Sequence, residues 1–437
     1  MIGTLNLGFT PVDGTRISLL LRPRQAVFDF DNLGNPNFDH DNSKARDGSL
    51  IGRIGVHSAL FGGTYETEAF VGGLDEARRY TEALNPLDPN LASENDKYHS
   101  DRVDVQWNNT VHLDDLMHVA ALSATDFTFG YEYTKDSVKT EVNEVTGGFP
   151  FLQNTTAQMV TNAGYAWLQT TLWNRLTVIG QIRQDSVLDD SPFTWRFGTV
   201  LNVPEIATHF KVSYGTAFRA PSLFDRYGID SFGYVGNPNL KPESAQGWEV
   251  GFTTDVAAFG HHDFASFGAT YFNEQVQNLI ETVFFPVYTS VNIGSAHMQR
   301  VETELTLRPA AWLNLTARYT CTYAINADSG ELLLRRPQNV ASFDATIRPL
   351  PKLTIAPELS FTGAFQDFLI DNAGFSTTTG TSGQGLIATL TVTYDLILGG
   401  EKNDSPRHGR RGPAMTDGAV DGSIFSTAGM TPQIAIY

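Results

Sequence analysis

The chain has 437 residues, 41% of them hydrophobic and 11% aromatic, with a formal net charge of −18. That acidity argues against nucleic acid as a partner, whose phosphates would be repelled. The single cysteine, Cys321, excludes an internal disulfide, and no run approaches the ~18 apolar residues of a membrane-spanning helix.

Taken from the N-terminus, the chain reads as strands of period-two polarity. Ile2 to Thr10 is the first, closed by the tight link Pro11-Val12-Asp13-Gly14. Val103, Val105 and Trp107 then oppose Arg102, Asp104 and Gln106. Phe127, Phe129, Tyr131 and Tyr133 oppose Thr128, Gly130, Glu132 and Thr134. His261-His262 falls at a tight turn, where solvated side chains are the default. Leu313, Leu315, Ala317, Tyr319, Cys321 and Tyr323 oppose Asn314, Thr316, Arg318, Thr320 and Thr322. Leu386 to Leu398 is the last strand, with Ala388, Leu390, Val392 and Tyr394 on its apolar face. Such alternation marks strands with one apolar and one wet face.

About seventeen such segments are joined by links that alternate in length. Short links also occur at Phe61-Gly62-Gly63, Trp173-Asn174, Val203-Pro204-Glu205, Arg308-Pro309-Ala310-Ala311 and Pro349-Leu350-Pro351-Lys352. Long polar loops are expected from Gln25 to Gly48, Gly73 to Tyr98, Glu141 to Thr156 and Arg219 to Ser244. Three more run from Gln275 to Ala296, Asn326 to Gln338 and Ala364 to Gln384; His112 to Thr125 fits the order least well. Tight turns at one end and long loops at the other are the mark of a transmembrane antiparallel β-barrel, with lipid outside and a polar lumen. A β-propeller would repeat a unit of about 40 residues, and none is found. The fold class is therefore all-β, a barrel over residues 1–398 followed by an irregular tail, 399–437.

The most specific feature is the run Ser213-Tyr214-Gly215-Thr216-Ala217-Phe218-Arg219-Ala220-Pro221-Ser222-Leu223, followed by Gly236-Asn237-Pro238-Asn239-Leu240-Lys241-Pro242-Glu243 and Trp248-Glu249-Val250-Gly251-Phe252. This resembles the later half of the barrel of TonB-dependent outer-membrane receptors. Asn292-Ile293-Gly294 through Leu305 resembles the family's inward strand entry, although Arg300 stands where the family usually has Gly, which puts a local turn in doubt. Leu334-Arg335-Arg336-Pro337 is similar to a piece of the next external loop.

Several expectations follow from the likeness. The family barrel has about twenty-two strands, so this chain would be an incomplete version, with about three strands missing before Ile2. Neither the plug domain nor the box that engages the TonB complex is present, so that complex is a partner only of an intact member. Met1-Ile2-Gly3-Thr4-Leu5-Asn6 has no basic region or apolar core, so it is no signal peptide, and the start reads as incomplete. A final hairpin should follow Leu398. Instead, Glu401 to Pro413 has no strand period, which a shifted reading frame near Gly399 or a natural disordered tail would explain.

No catalytic or cofactor motif is present: there is no His-Glu-x-x-His, Cys-x-x-Cys, phosphate-binding glycine loop or Gly-x-Ser-x-Gly. The chain is expected to be no enzyme and to hold no cofactor. Asp29, Asp31, Asp39 and Asp41 lie in an external loop and could bind Ca²⁺, although their spacing matches no defined site and solvation explains them as well.

Within the family-like motif the residues Gly215, Phe218, Arg219, Ala220, Pro221, Gly236, Asn237, Pro238, Asn239, Leu240, Pro242 and Glu243 are read as structural. Pro221, Pro238 and Pro242 cannot donate ladder hydrogen bonds, so they end strands and stiffen a loop. Gly236 and Asn237 suit turn conformations, and Arg219 is placed to pair with Glu243 or Glu249. The resemblance implies the barrel part of an outer-membrane receptor for a scarce solute, such as an iron–siderophore complex or cobalamin, embedded in outer-membrane lipid and unable to transport alone. The alternatives are a plugless passive pore and a non-functional gene remnant.

Overall fold

The computed structural model of the protein describes residues 1–29, 43–84, 92–117, 119–230, 233–284, 286–371 and 374–394. Strands dominate it. They are β1 (Leu5–Val12), β2 (Thr15–Asp29), β3 (Ser43–Leu60), β4 (Tyr65–Glu82), β5 (Ser93–His112), β6 (Leu122–Thr146) and β7 (Phe149–Leu172). Then come β8 (Leu176–Val187), β9 (Phe193–Val203), β10 (Thr208–Arg219), β11 (Glu243–Ala258), β12 (His261–Gln277), β13 (Ile280–Val283) and β14 (Thr289–Asn292). The last are β15 (Ser295–Ala310), β16 (Leu313–Asn326), β17 (Asn339–Leu350), β18 (Leu353–Thr362), β19 (Gln366–Asp371), β20 (Gly374–Thr381) and β21 (Gly385–Tyr394).

Seventeen of these form one antiparallel sheet in which each strand pairs with the next, a meander from β1 to β21. The hairpins β13–β14 and β19–β20 stand outside it, so β12 pairs with β15 and β18 with β21. Among the described residues β1 pairs only with β2, and β21 only with β18. Every residue of both strands is exposed.

Alternation explains the sheet. The outward face carries Trp107, Phe127, Phe129, Tyr131, Tyr214 and Trp248, all exposed although apolar; Trp107, for example, is 49% exposed. In water such a face would be costly, and in lipid it is the stable arrangement. The opposite face is polar and internally paired. Arg183 donates to Glu132 (2.9 Å) and to both oxygens of Asp185, and Arg318 donates to Glu304 (2.7 Å) and Asp344 (2.8 Å). A compact apolar core is replaced by a small cluster of Val276, Ala296, Ala324 and Leu333 on the polar side at the loop end of β12, β15 and β16.

One end of the sheet has the tight links read from the sequence, including Asp13-Gly14, Phe61–Gly63, Trp173 to Arg175 and Pro351-Lys352. The link from His112 to Thr125 also lies at this end and holds the short helix α1 (Asp114–Met117), which explains why it broke the expected order. The other end differs from expectation in three places. The stretch from Glu141 to Thr156 is no loop: β6 and β7, 25 and 24 residues long, run on to a turn at Gly147-Gly148. Thr, Val and Glu in alternation keep the ladder going there, and two glycines at positive φ suffice to reverse it. Most of the predicted loop from Gly73 to Tyr98 is likewise strand, and the predicted Gln25–Gly48 loop is shortened by β2 and β3. Arg300 sits at no turn but mid-strand in β15, its guanidinium 4.6 Å from the centre of the Phe272 ring on the paired strand.

Candidate functional site

The most elaborate part of the loop end connects β10 to β11. These strands pair without interruption from Thr208 opposite Thr254 to Arg219 opposite Glu243. At that last rung Arg219 donates through Nε and Nη2 to both carboxylate oxygens of Glu243, at 2.7 and 2.6 Å. Glu243 also accepts from the backbone N–H of Ile280, at 2.7 Å, which ties the next loop to the same carboxylate. Glu249, the alternative partner for Arg219, instead accepts from Ser213 at 3.2 Å, with Arg196 4.0 Å away.

Beyond Arg219 the chain leaves the sheet through Ala220 and Pro221, the latter fully buried. Helix α2 (Leu223–Tyr227) follows, started by a reciprocal capping box between Ser222 and Asp225. The helix lies against β7 and β14, so the loop leans over the polar side of the sheet. The return segment is fastened residue by residue. Gly236 donates its N–H to Gly228 O at 2.8 Å, and Asn237 donates to Asp225 O at 2.8 Å. The Asn237 side chain accepts from Asn239 N (3.0 Å) and donates to Ser290 O (3.1 Å). Pro238 O accepts from Arg226, Leu240 is buried, and Pro242 leads into Glu243.

The glycine at 236 has a reason other than the one read from sequence. A Cβ there would lie 2.5 Å from Tyr227 N and 2.6 Å from the Arg226 carbonyl carbon. Close backbone approach, and not a left-handed turn, demands Gly. Gly215 and Phe218 lie within β10, and a Cβ at Gly215 would come 2.8 Å from Trp195 O on β9.

Several key residues escaped the sequence reading. Tyr234, 2% exposed, stacks on Phe224 with ring centres 4.8 Å apart and meets Tyr288 edge-on at 5.2 Å. Its hydroxyl shares a 2.7 Å hydrogen bond with Ser290. Burial pushes the Tyr234 phenol up to about 12, and burial also raises the Glu281 carboxyl on β13. Asn292 on β14 accepts from Lys241 N and donates to Lys241 O and Asn278 O, pinning two loops together. The signal for α2 was legible as Ser-x-x-Asp. Nothing local to Tyr234 or Ser290 announces a contact across 56 residues.

Leu334 to Pro337 also lies in an outer loop, where Arg335 donates to Asp367 at 2.9 Å. Of the four aspartates read as a possible calcium loop, Asp31, Asp39 and Asp41 lie outside the described residues, and Asp29 pairs with Lys44 at 3.2 Å. Among the described residues one group has metal-like geometry: Asp75, His99 and Asp101, whose donor atoms all lie within 4.8 Å of one another on the outward face of β4 and β5.

Together, the meander, its aromatic outward face, its paired polar inner face and the folded outer loops define the wall of a transmembrane β-barrel of the outer-membrane type. Residues 3–403 match the family described as TonB dependent receptor-like, beta-barrel, and the chain belongs to that family. It is 31% identical over 138 residues to the vitamin B12 transporter BtuB of Vibrio vulnificus strain YJ016, covering 30% of this chain and 20% of that protein. It is 27% identical over 204 residues to the heme/hemopexin utilization protein C of Haemophilus influenzae, covering 41% and 28%. In fold it is similar to the copper transporter OprC (TM-score 0.72, 12% identity, 90% of this chain and 63% of that one). It is also similar to the siderophore receptor PiuA from Acinetobacter baumannii (TM-score 0.67, 15% identity, 88% and 66%). These matches cover less than two thirds of each relative's length. The relatives are transporters and receptors, not enzymes.

Proposed function

We propose that the chain forms the barrel wall of an outer-membrane uptake receptor for a scarce solute, an iron–siderophore complex, cobalamin or a compound of that kind. The observation that carries this reading is the two-faced meander, aromatic toward lipid and ion-paired toward the lumen, crowned by the node around Arg219 and Glu243. The names of its relatives, which include a vitamin B12 transporter and a siderophore receptor, support the solute class. The motif residues from Gly215 to Glu243 serve to shape the node and do not themselves carry chemistry.

In this reading the partners are outer-membrane lipid on the aromatic face and, once a plug and TonB box are joined to the wall, the TonB complex. The wall by itself does not energise transport. Growth of a receptor-deficient Gram-negative host on trace ferric siderophore or cobalamin tests this. Residues 1–437 alone should restore neither, and the wall joined to a plug and box should restore one. Failure of the joined protein on every such solute would overturn the reading.

One observation favours a second reading, a passive pore or an inactive remnant. The end strands β1 and β21 lack a second neighbour among the described residues, and an unpaired edge costs several kcal/mol for each backbone group left unsatisfied in lipid. Planar-bilayer recording separates the two: steady ohmic conductance supports the pore, and silence with no membrane insertion supports the remnant.

A further inference from the structure

Strands β3 to β6 run past the lipid band, so the upper rungs of their ladders form an overhang of the wall. On β5 the outward face carries Trp107, Val105 and Val103, then changes to Asp101 and His99. Asp101 stands directly opposite Asp75 on β4, and His99 stands opposite Ala77, whose methyl group fills little of the space beside the imidazole. Strand pairing therefore brings all three side chains to one face within two rungs. Nε2 of His99 lies 3.3 Å from Asp101 Oδ2 and 3.6 Å from Asp75 Oδ2.

Hydrogen bonding does not account for this convergence. An imidazole nitrogen carries at most one proton, so Nε2 can serve only one of two carboxylates. Among the described residues the side chains of Asp75, His99 and Asp101 make no hydrogen bond, whereas His112 on the lumenal face is fastened to Asp126 at 2.6 Å. Three atoms bearing lone pairs thus meet within 4.8 Å of one another. Ligands held at about 2.0–2.1 Å by a tetrahedral zinc ion lie about 3.4 Å apart, which matches the spacing around Nε2. The nearby cations are engaged elsewhere. Lys97 and Lys139, the latter opposite His99 on β6, share Glu141 at 2.9 and 2.8 Å, and Arg79 donates to Asn95.

We propose that Asp75, His99 and Asp101 bind a zinc-like divalent transition-metal ion on the outer surface of the wall. One imidazole nitrogen with two carboxylate oxygens is a nitrogen–oxygen set suited to zinc, while Ca²⁺ and Mg²⁺ favour shells of about six or more oxygens. The side chains are half exposed, so water completes the shell from the open side. The bound ion ties β4 to β5 where their ladder leaves the lipid, and it replaces repulsion between two facing carboxylates by a shared cation. The inference goes beyond the uptake reading and depends only on the pairing of β4 with β5.

The test uses the full untagged chain folded in neutral detergent micelles, with Zn²⁺ as the probe in titration calorimetry against a background of excess Ca²⁺. Wild-type protein should bind Zn²⁺ despite the Ca²⁺, and Co²⁺ in its place should give the intense visible absorption of a four-coordinate ion. His99→Gln should weaken zinc binding on the order of a hundredfold and abolish that absorption. Asp75→Asn/Asp101→Asn should do the same. The control His261→Gln/His262→Gln removes the paired histidines of a tight turn and should bind zinc as the wild type does. Heat-dependent gel mobility shows which variants are folded, and either ligand variant decides the question alone. Added Zn²⁺ should also raise the denaturant midpoint of the wild type and leave that of His99→Gln unmoved. Zinc affinity unchanged in a folded ligand variant, loss confined to the His261/His262 control, or full displacement by Ca²⁺ would each overturn the proposal.

Discussion

Two parts of the molecule project beyond the lipid band in opposite ways. Between β10 and β11 the ladder stops at Arg219 and Glu243, and the chain folds into a compact node held by side chains bonded to backbone. Between β6 and β7 the ladder continues unbroken from Asp126 to a two-glycine turn, with few side-chain bonds required. In the node each polar backbone group depends on one particular partner, often on another loop. In the overhang the same groups are satisfied by a repeating ladder that is indifferent to most side chains. Single substitutions should therefore be severe in the first region and mild in the second.

The largest effect is expected from Glu243→Ala. It strands the partly buried Arg219 guanidinium and frees the Ile280 N–H, at a cost of about 3 kcal/mol. Limited proteolysis of detergent-folded protein should show cleavage in residues 220–242 and 278–294 with the sheet intact. Cleavage unchanged from wild type would remove the contrast between the regions. Gly236→Ala should follow at about 2 kcal/mol, because the new methyl group meets backbone atoms that cannot yield. The same digestion, scored by rate, checks it.

Tyr234→Phe should cost about 1 kcal/mol through loss of the bond to Ser290, with the aromatic stack kept. It also sharpens the pH behaviour. The folded phenol, pushed up to about 12, lies above the unfolded value of about 10, so its stabilising effect is complete below the latter and lost as pH rises through the former. Alkaline titration by tyrosinate absorbance should show one late-ionising phenol fewer in this variant. Thr156→Ala on the exposed face of the overhang should fall within about 0.5 kcal/mol of wild type by denaturant titration, and a shift well beyond that would show the ladder to be less tolerant than argued.

Much of the wall was legible because barrel strands declare themselves through alternation. Phe127 to Tyr133 and Leu313 to Tyr323 fall where their polarity placed them. The overhang was read as loop because polar alternation beyond a membrane lacks the apolar face on which the reading depends; Lys139, Glu141 and Asn143 on one side and Thr140 and Glu144 on the other look the same in a strand or in water. In the node, proline and the family-like motif marked where the ladder must stop, and adjacent strands brought Arg219 to Glu243. Tyr234 with Ser290, and Lys241 with Asn292, join separate loops, and no periodic pattern specifies which loop meets which.

The meander has a further consequence for assembly. Each strand of the large sheet finds its partners in the sheet strands just before and just after it, so hairpins can join the wall one after another, and none must wait for a distant one. Damage to a central strand would then leave two correctly registered panels on either side, each retaining its own pairing.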